Sequence, residues 1–126
     1  MPFSSLGIST HLVRGLEKEK YLKPYPIQEQ TIPAILNKKD VLGIAQTGSG
    51  KTASYVLPIL MNLEGKTTTK NRHVNVLVVV PTRELAVQVE EVFNQFGSGL
   101  LERVKCMAVY GGVSINPQMK GLQGVN

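Results

Sequence analysis

Apolar residues along this chain fall either at helical spacing or in short continuous runs, and the alternation of the two predicts helices separated by strands. From the N-terminus, Ser9 is placed to cap a helix running to about Lys20, with Leu12, Val13 and Leu16 on one face. Pro24 and Pro26 interrupt the chain, and Pro26 suits the first turn of a second helix through Leu36, with Ile27, Ile32 and Ile35 as its apolar positions. Val41-Leu42-Gly43-Ile44-Ala45 then reads as a short strand buried on both faces. Ser54 to Leu63 returns to helical spacing through Tyr55, Leu57, Ile59, Leu60 and Leu63, with Pro58 predicting a kink or a helix in two parts. Val74 to Val80 is a β-branched run read as a second strand, closed by Pro81. Thr82 is a cap for the next helix, which carries Leu85, Val89, Val92, Phe93 and Phe96 and stops at Gly97. Val104 to Tyr110 gives a third strand, ended by Gly111-Gly112, before a short helix over 117–122.

Strands alternating with helices predict an α/β layer fold with a largely parallel sheet. Ligands of such sheets collect at the carboxyl ends of the strands. Here those ends carry Gln46 to Thr52, Pro81 to Glu84 and Gly111-Gly112, so three candidate motifs share one rim.

Composition narrows the picture modestly. The 126 residues suit one domain, and 42% hydrophobic content supports a modest core. Fourteen Lys and Arg against nine Asp and Glu give a formal charge of +5, compatible with a polyanionic partner and equally with a solvated surface. Cys106 is the single cysteine, which excludes an intrachain disulfide; its apolar neighbours 104–110 predict a buried, inert thiol. No run approaches bilayer length and Met-Pro-Phe-Ser-Ser is no signal peptide, so a soluble cytoplasmic protein without membrane contact is expected. Lys66 to Asn71 reads as an exposed loop.

The strongest chemical feature is Ala45-Gln46-Thr47-Gly48-Ser49-Gly50-Lys51-Thr52, lying between the first strand and a helix. Glycines let backbone N–H groups turn inward around anionic oxygens. Lys51 offers an ammonium to the outer phosphates of a nucleotide, and Thr52 a hydroxyl to a magnesium ion. The N-terminus of the following helix adds unpaired N–H groups and partial positive charge. The general pattern has Gly where this chain has Ala45.

With these motifs in place, the chain resembles the DEAD-box family of ATP-dependent RNA helicases from Phe3 to at least Gly112. The octet with Ala in first place is that family's form of the loop. Pro81-Thr82-Arg83-Glu84-Leu85-Ala86 and Gly111-Gly112 resemble its next two motifs, and Pro24, Pro26, Ile27 and Gln28 its adenine-reading Q motif. Tyr110 to Met119 looks most like bacterial RhlE-type members. The resemblance implies a P-loop NTPase (RecA-like) parallel sheet flanked by helices. Residues 1–36 would form the Q-motif region and 37–126 the P-loop core of a first helicase domain.

Roles follow from the resemblance, residue by residue. ATP and Mg2+ are the implied cofactors, with Gln46, Thr47, Gly48, Ser49, Gly50, Lys51 and Thr52 around the phosphates. Lys51 and Thr52 would act in catalysis, and Thr52 on the metal. Gln28 would hydrogen-bond the adenine edge and Phe3 would stack on the base. Pro81, Thr82, Arg83, Gly111 and Gly112 would hold RNA by its phosphates, tolerant of sequence and sensitive to salt. Each has a plainer reading: Thr82 as a helix cap, Arg83 as the partner of a nearby carboxylate, Gly111 as a turn residue. Two departures touch the Q motif, since Lys20 stands where the family usually has Gly and Tyr25 where it has Thr or Ser.

Hydrolysis needs strand-end acids to hold the metal and orient water, and arginines against the transition-state charge. The family's Asp-Glu-Ala-Asp segment, expected beyond the glycine doublet, does not occur here. The sole Asp is Asp40, and no acidic residue follows Glu102. The expected identity is therefore a piece of an RNA helicase, without the rest of domain one and domain two. It should bind nucleotide weakly without turnover and, with sheet edges bare, self-associate. The competing reading is a nucleotide- or RNA-binding module that never hydrolyses.

Overall fold

The computed structural model describes residues 2–64, 74–98, 100 and 104–122; the expected loop at Lys66–Asn71 lies outside them. After a short 3-10 turn at Phe3–Leu6, the helices are α1 (Thr10–Lys18), α2 (Pro26–Leu36), α3 (Lys51–Leu63), α4 (Arg83–Gly97) and α5 (Ile115–Gly121).

Local chemistry accounts for their ends. The Ser9 hydroxyl accepts from Leu12 N–H at 3.4 Å and the Thr82 hydroxyl from Leu85 N–H at 3.2 Å, each satisfying an amide that the first turn leaves unpaired. α1 closes with Lys20 N–H on the Glu17 carbonyl and Tyr21 N–H on that of Leu16, at 3.0 and 2.8 Å. That paired closure requires a left-handed residue, and Lys20 supplies it at φ 64°. α2 ends in the same way, with Lys38 at φ 60° and its N–H on the Ile35 carbonyl, followed by Lys39 N–H on Ala34. A glycine at position 20 would take this conformation freely, whereas the lysine here holds it at some strain.

α3 is the centre of the molecule: α2 and α4 pack against it, and α1 packs against α4. Val56, Leu57 and Leu60 of α3 are wholly buried, joined by Leu12, Leu16, Ile32, Val89, Phe93 and Phe96. Tyr21 meets the Phe96 ring edge-on at 5.3 Å. Of the two outcomes expected at Pro58, a kink or a helix in two parts, the second does not occur. Pro58 lies inside one helix, fully buried, where packing on all sides offsets the missing N–H bond.

The parallel sheet is a different matter. Among the described residues there is no paired strand, and no backbone hydrogen bond joins 41–46, 76–80 and 104–110. Side chains take two amides of these segments: Ala108 N–H donates to the Glu90 carboxylate, and Tyr110 N–H to Gln118 Oε1 at 2.8 Å. A cavity of about 300 Å³ lies between 76–80, 104–109 and the helices, lined by Ile59, Leu63, Val89 and Phe93. Strand periodicity nonetheless survives. Val76, Val78 and Val80 are half-buried while Leu77 and Val79 are exposed, the alternation of a segment with one face packed. Burial on both faces, expected at the sequence level, is not found: Leu42 and Leu77 are 87% and 80% exposed.

Candidate nucleotide and nucleic-acid sites

The loop at 46–52 is shaped by its own hydrogen bonds. The Gln46 carbonyl accepts from both the N–H and the hydroxyl of Ser49, drawing the chain into a turn. Gly48 and Gly50 take φ 81° and 82°. At Gly50 a side chain is excluded twice, by that φ and by space: a Cβ would lie 2.4 Å from Gln28 Nε2 and 2.8 Å from the Tyr25 ring. α3 begins directly after it. The first bond within the helix runs from Ser54 N–H to the Gly50 carbonyl at 3.2 Å, which leaves the amides of Lys51, Thr52 and Ala53 without helical partners. Open space beside Gly48, these amides and the positive helix end suit a phosphate group. The Lys51 ammonium folds across the loop and donates to the Ala45 carbonyl at 2.7 Å.

Thr52 is half-buried, one turn before the Tyr55 phenol that it influences. Burial pushes the Tyr55 phenol up, opposed by the neighbouring Thr52 hydroxyl, so it stays protonated at neutral pH. Magnesium keeps several waters and leans on nucleotide phosphates, so one protein hydroxyl is a sufficient local anchor for part of its shell. No group of three or more His, Cys, Asp or Glu capable of holding a metal occurs among the described residues.

Gln28 and Phe3 are placed differently from expectation. Gln28 is wholly buried, and both ends of its amide are engaged inside the protein: Oε1 accepts from Tyr25 N–H at 3.0 Å, and Nε2 donates to the Gly50 carbonyl at 3.1 Å. It ties the start of α2 to the start of α3. The Tyr25 side chain makes no reciprocal cap bond, so the helix lacks the half that a Ser or Thr would supply. Phe3 is only 3% exposed and belongs to the core with Leu6 and Ile8, because the 3-10 turn folds it under α1 and α2. In this arrangement its ring is packing material and presents no face for a base.

The second motif pair does meet in space. Pro81, Thr82, Arg83 and Gly111 line one polar cleft of about 430 Å³. Gly112, at φ 83°, stands so near Arg83 that a Cβ would lie 2.9 Å from Nη1. The plainer readings coexist with this: Thr82 does cap α4, and Arg83 Nε lies 3.7 Å from Glu84 Oε1. Both charged side chains are well exposed, so the pair is weak and leaves the guanidinium available. The capping Thr82 oxygen still has its own O–H to donate. Sequence reading missed Tyr110 as a cleft residue, although its place beside the glycine doublet was a signal. Cys106 is half-buried; burial, then the nearby Glu90 carboxylate, pushes its thiol up, as an inert cysteine requires.

Comparison with known proteins agrees on one family. The sequence profile of the DEAD/DEAH box helicases matches residues 25–126. The chain is 43% identical over 123 residues to the ATP-dependent RNA helicase CshA of Limosilactobacillus reuteri, covering 98% of this chain and 24% of that protein. It is 44% identical to the ATP-dependent RNA helicase DeaD of Escherichia coli K12, covering 96% of this chain and 18% of that one. The crystal structure of a DEAD box protein from the hyperthermophile Methanococcus jannaschii superposes with a TM-score of 0.87 at 32% identity, over all of this chain and 33% of the other. The RNA helicase Prp28 of Chaetomium thermophilum bound to ADP gives 0.81 at 34%, over 94% and 28%. The chain thus spans about a quarter or less of the length of these curated relatives.

Proposed function

Because the chain belongs to the DEAD/DEAH box helicase family, we propose that its parent protein is an ATP-dependent RNA helicase. Residues 1–126 would be the N-terminal portion of its first RecA-like domain, with 1–36 on the adenine side and 37–126 as the phosphate-loop core. One observation carries this reading: a phosphate-shaped loop heads α3, while a separate polar cleft joins Arg83 to the glycine doublet. A nucleotide site and a nucleic-acid site on one domain are what coupling of ATP to RNA requires.

In this reading the loop amides and Lys51 hold the outer phosphates of ATP, and Thr52 joins the shell of Mg2+. Magnesium would supply charge neutralisation on the phosphates. Gln28 reads adenine only after releasing at least one of its two internal hydrogen bonds, so nucleotide and the α2–α3 tie share one amide. Phe3 reaches a base only by leaving the core, so its contribution in the resting arrangement is to packing. Pro81, Thr82, Arg83, Gly111 and Gly112 grip RNA phosphates without reading bases. In the whole domain, 41–45, 74–80 and 104–110 become parallel strands, and Leu42, Ile44, Leu77 and Val79 gain cover. In the isolated chain those side chains promote self-association. No helix among the described residues is long and apolar enough to cross a membrane, in keeping with a cytoplasmic setting.

The isolated chain binds without hydrolysing, since the described residues bring no acidic cluster to the loop. Titration of the purified 126-residue chain with a fluorescent ATP analogue, with and without Mg2+, tests this. Binding that Lys51→Ala weakens tenfold or more, with no RNA-stimulated phosphate release, is expected from loss of a charge-assisted contact of about 1.5–3 kcal/mol. Binding indifferent to Lys51→Ala would remove the loop from the nucleotide site.

A further inference from the structure

α5 is held to the molecule in an unusual way for a short helix. None of its side chains is buried, and its large apolar residues Ile115 and Met119 face solvent. Within it only Gln118 and Gly121 are half-buried. Gly121 sits so close to Met107 that a Cβ would lie 2.6 Å from its Sδ. Gln118 makes two directed bonds: Oε1 accepts from Tyr110 N–H at 2.8 Å, and Nε2 donates to the Ser114 carbonyl at 3.2 Å. A single side-chain amide therefore bridges both ends of the loop 110–114, which contains Gly111 and Gly112.

Apolar attachment tolerates slip, whereas an amide with an acceptor at one corner and a donor at the other fixes direction. The loop needs such fixing, because two adjacent glycines give its backbone wide freedom. In the observed arrangement Gly112 stands against the Arg83 guanidinium and Gly111 lines the cleft. We propose that Gln118 is a positioning residue of the nucleic-acid cleft. It clips the Tyr110–Ser114 loop so that the glycine amides stand in register with Thr82 and Arg83, without touching RNA itself. The proposal rests on the reading of that cleft as the RNA-phosphate site.

The test uses the 126-residue chain, a fluorescein-labelled oligouridylate of about ten nucleotides at low salt, and amide hydrogen exchange. Gln118→Met keeps length and loses both directed bonds; Gln118→Glu keeps the acceptor for Tyr110 and loses the donor to Ser114; Met119→Ala controls for disturbance of α5. Gln118→Met should weaken RNA binding about tenfold and speed exchange at Tyr110, Gly111 and Gly112, with the midpoint of thermal unfolding little changed. Gln118→Glu should lose about threefold, and Met119→Ala nothing. Wild-type affinity and wild-type exchange in both Gln118 variants overturn the clip. If the unaltered chain binds no RNA, the reading of the cleft fails; unchanged exchange in Gln118→Met then overturns the clip separately. Should Gln118→Met fail to fold, Gln118→Glu decides, and affinity and exchange equal to wild type overturn the proposal.

Discussion

Leu57 and Leu77 are the same residue type twenty positions apart, and they mark two regions built on different terms. Leu57 is wholly buried in the middle of α3, whereas Leu77 is 80% exposed on a segment with strand periodicity and no strand partner among the described residues. A helix satisfies its own backbone, so it forms wherever its apolar face finds a neighbour. A strand borrows its hydrogen bonds from another segment and, in an α/β layer, needs cover on both faces. The helical layer is consequently closed within this chain, and the strand-like layer is open.

Four experiments break or sharpen that contrast. The largest effect should come from the leucines themselves. Leu57→Ala should lower stability by about 2–5 kcal/mol in urea unfolding, while Leu77→Lys should leave stability within about 0.5 kcal/mol and raise the concentration at which the chain stays monodisperse in light scattering. Equal destabilisation by the two would erase the distinction. Next, Gly50→Ala should cost about 2 kcal/mol or more, since it combines a left-handed φ with a clash against Gln28 and Tyr25, and should abolish nucleotide binding. Retained binding would show that the junction of α2 and α3 yields more easily than its geometry implies.

Smaller effects probe the helix ends. Lys20→Gly and Lys38→Gly should each stabilise by about 0.5–1 kcal/mol, because glycine takes φ near 60° without the Cβ penalty. Calorimetry should show the two gains adding, as expected for separate helix ends. The smallest effect concerns the open layer. The folded protein holds the Cys106 proton more tightly than the unfolded chain, so this contribution is complete below the ordinary thiol value of 9.0 and falls as pH rises through the raised folded one. Cys106→Ala should flatten that alkaline loss; an unchanged slope would assign it elsewhere.

What was legible in the sequence follows the same division. Ser9, Pro26 and Thr82 marked helix starts that the structure keeps within a residue, because caps are local chemistry. The helix is not split at Pro58, one of the two outcomes expected there, since burial on all sides offsets the missing N–H. The extended course of 76–80 was legible from its β-branched run, but its one-sided burial was not, and pairing depends on remote segments that no local pattern reports. In the sites, Arg83 and the glycine doublet were brought together as their shared strand-end position implied. Gln28 and Phe3 are less transparent, because motif spacing cannot say whether a side chain points into a cleft or into the core. Gln118 carried no sequence signal of its own; only the two hydrogen bonds distinguish it from any surface glutamine.

The contact between Lys51 and the Ala45 carbonyl bears on selectivity. The ammonium already has an acceptor, so an incoming molecule gains only by the difference between its own oxygens and a neutral amide oxygen. A multiply charged phosphate terminus makes that exchange strongly favourable. A nucleoside, or a nucleotide too short to reach the ammonium, leaves Lys51 where it is and gains nothing from it. On the proposed reading of the loop as a phosphate site, it would grade ligands by the charge they deliver at one point, a filter ahead of any contact with a base.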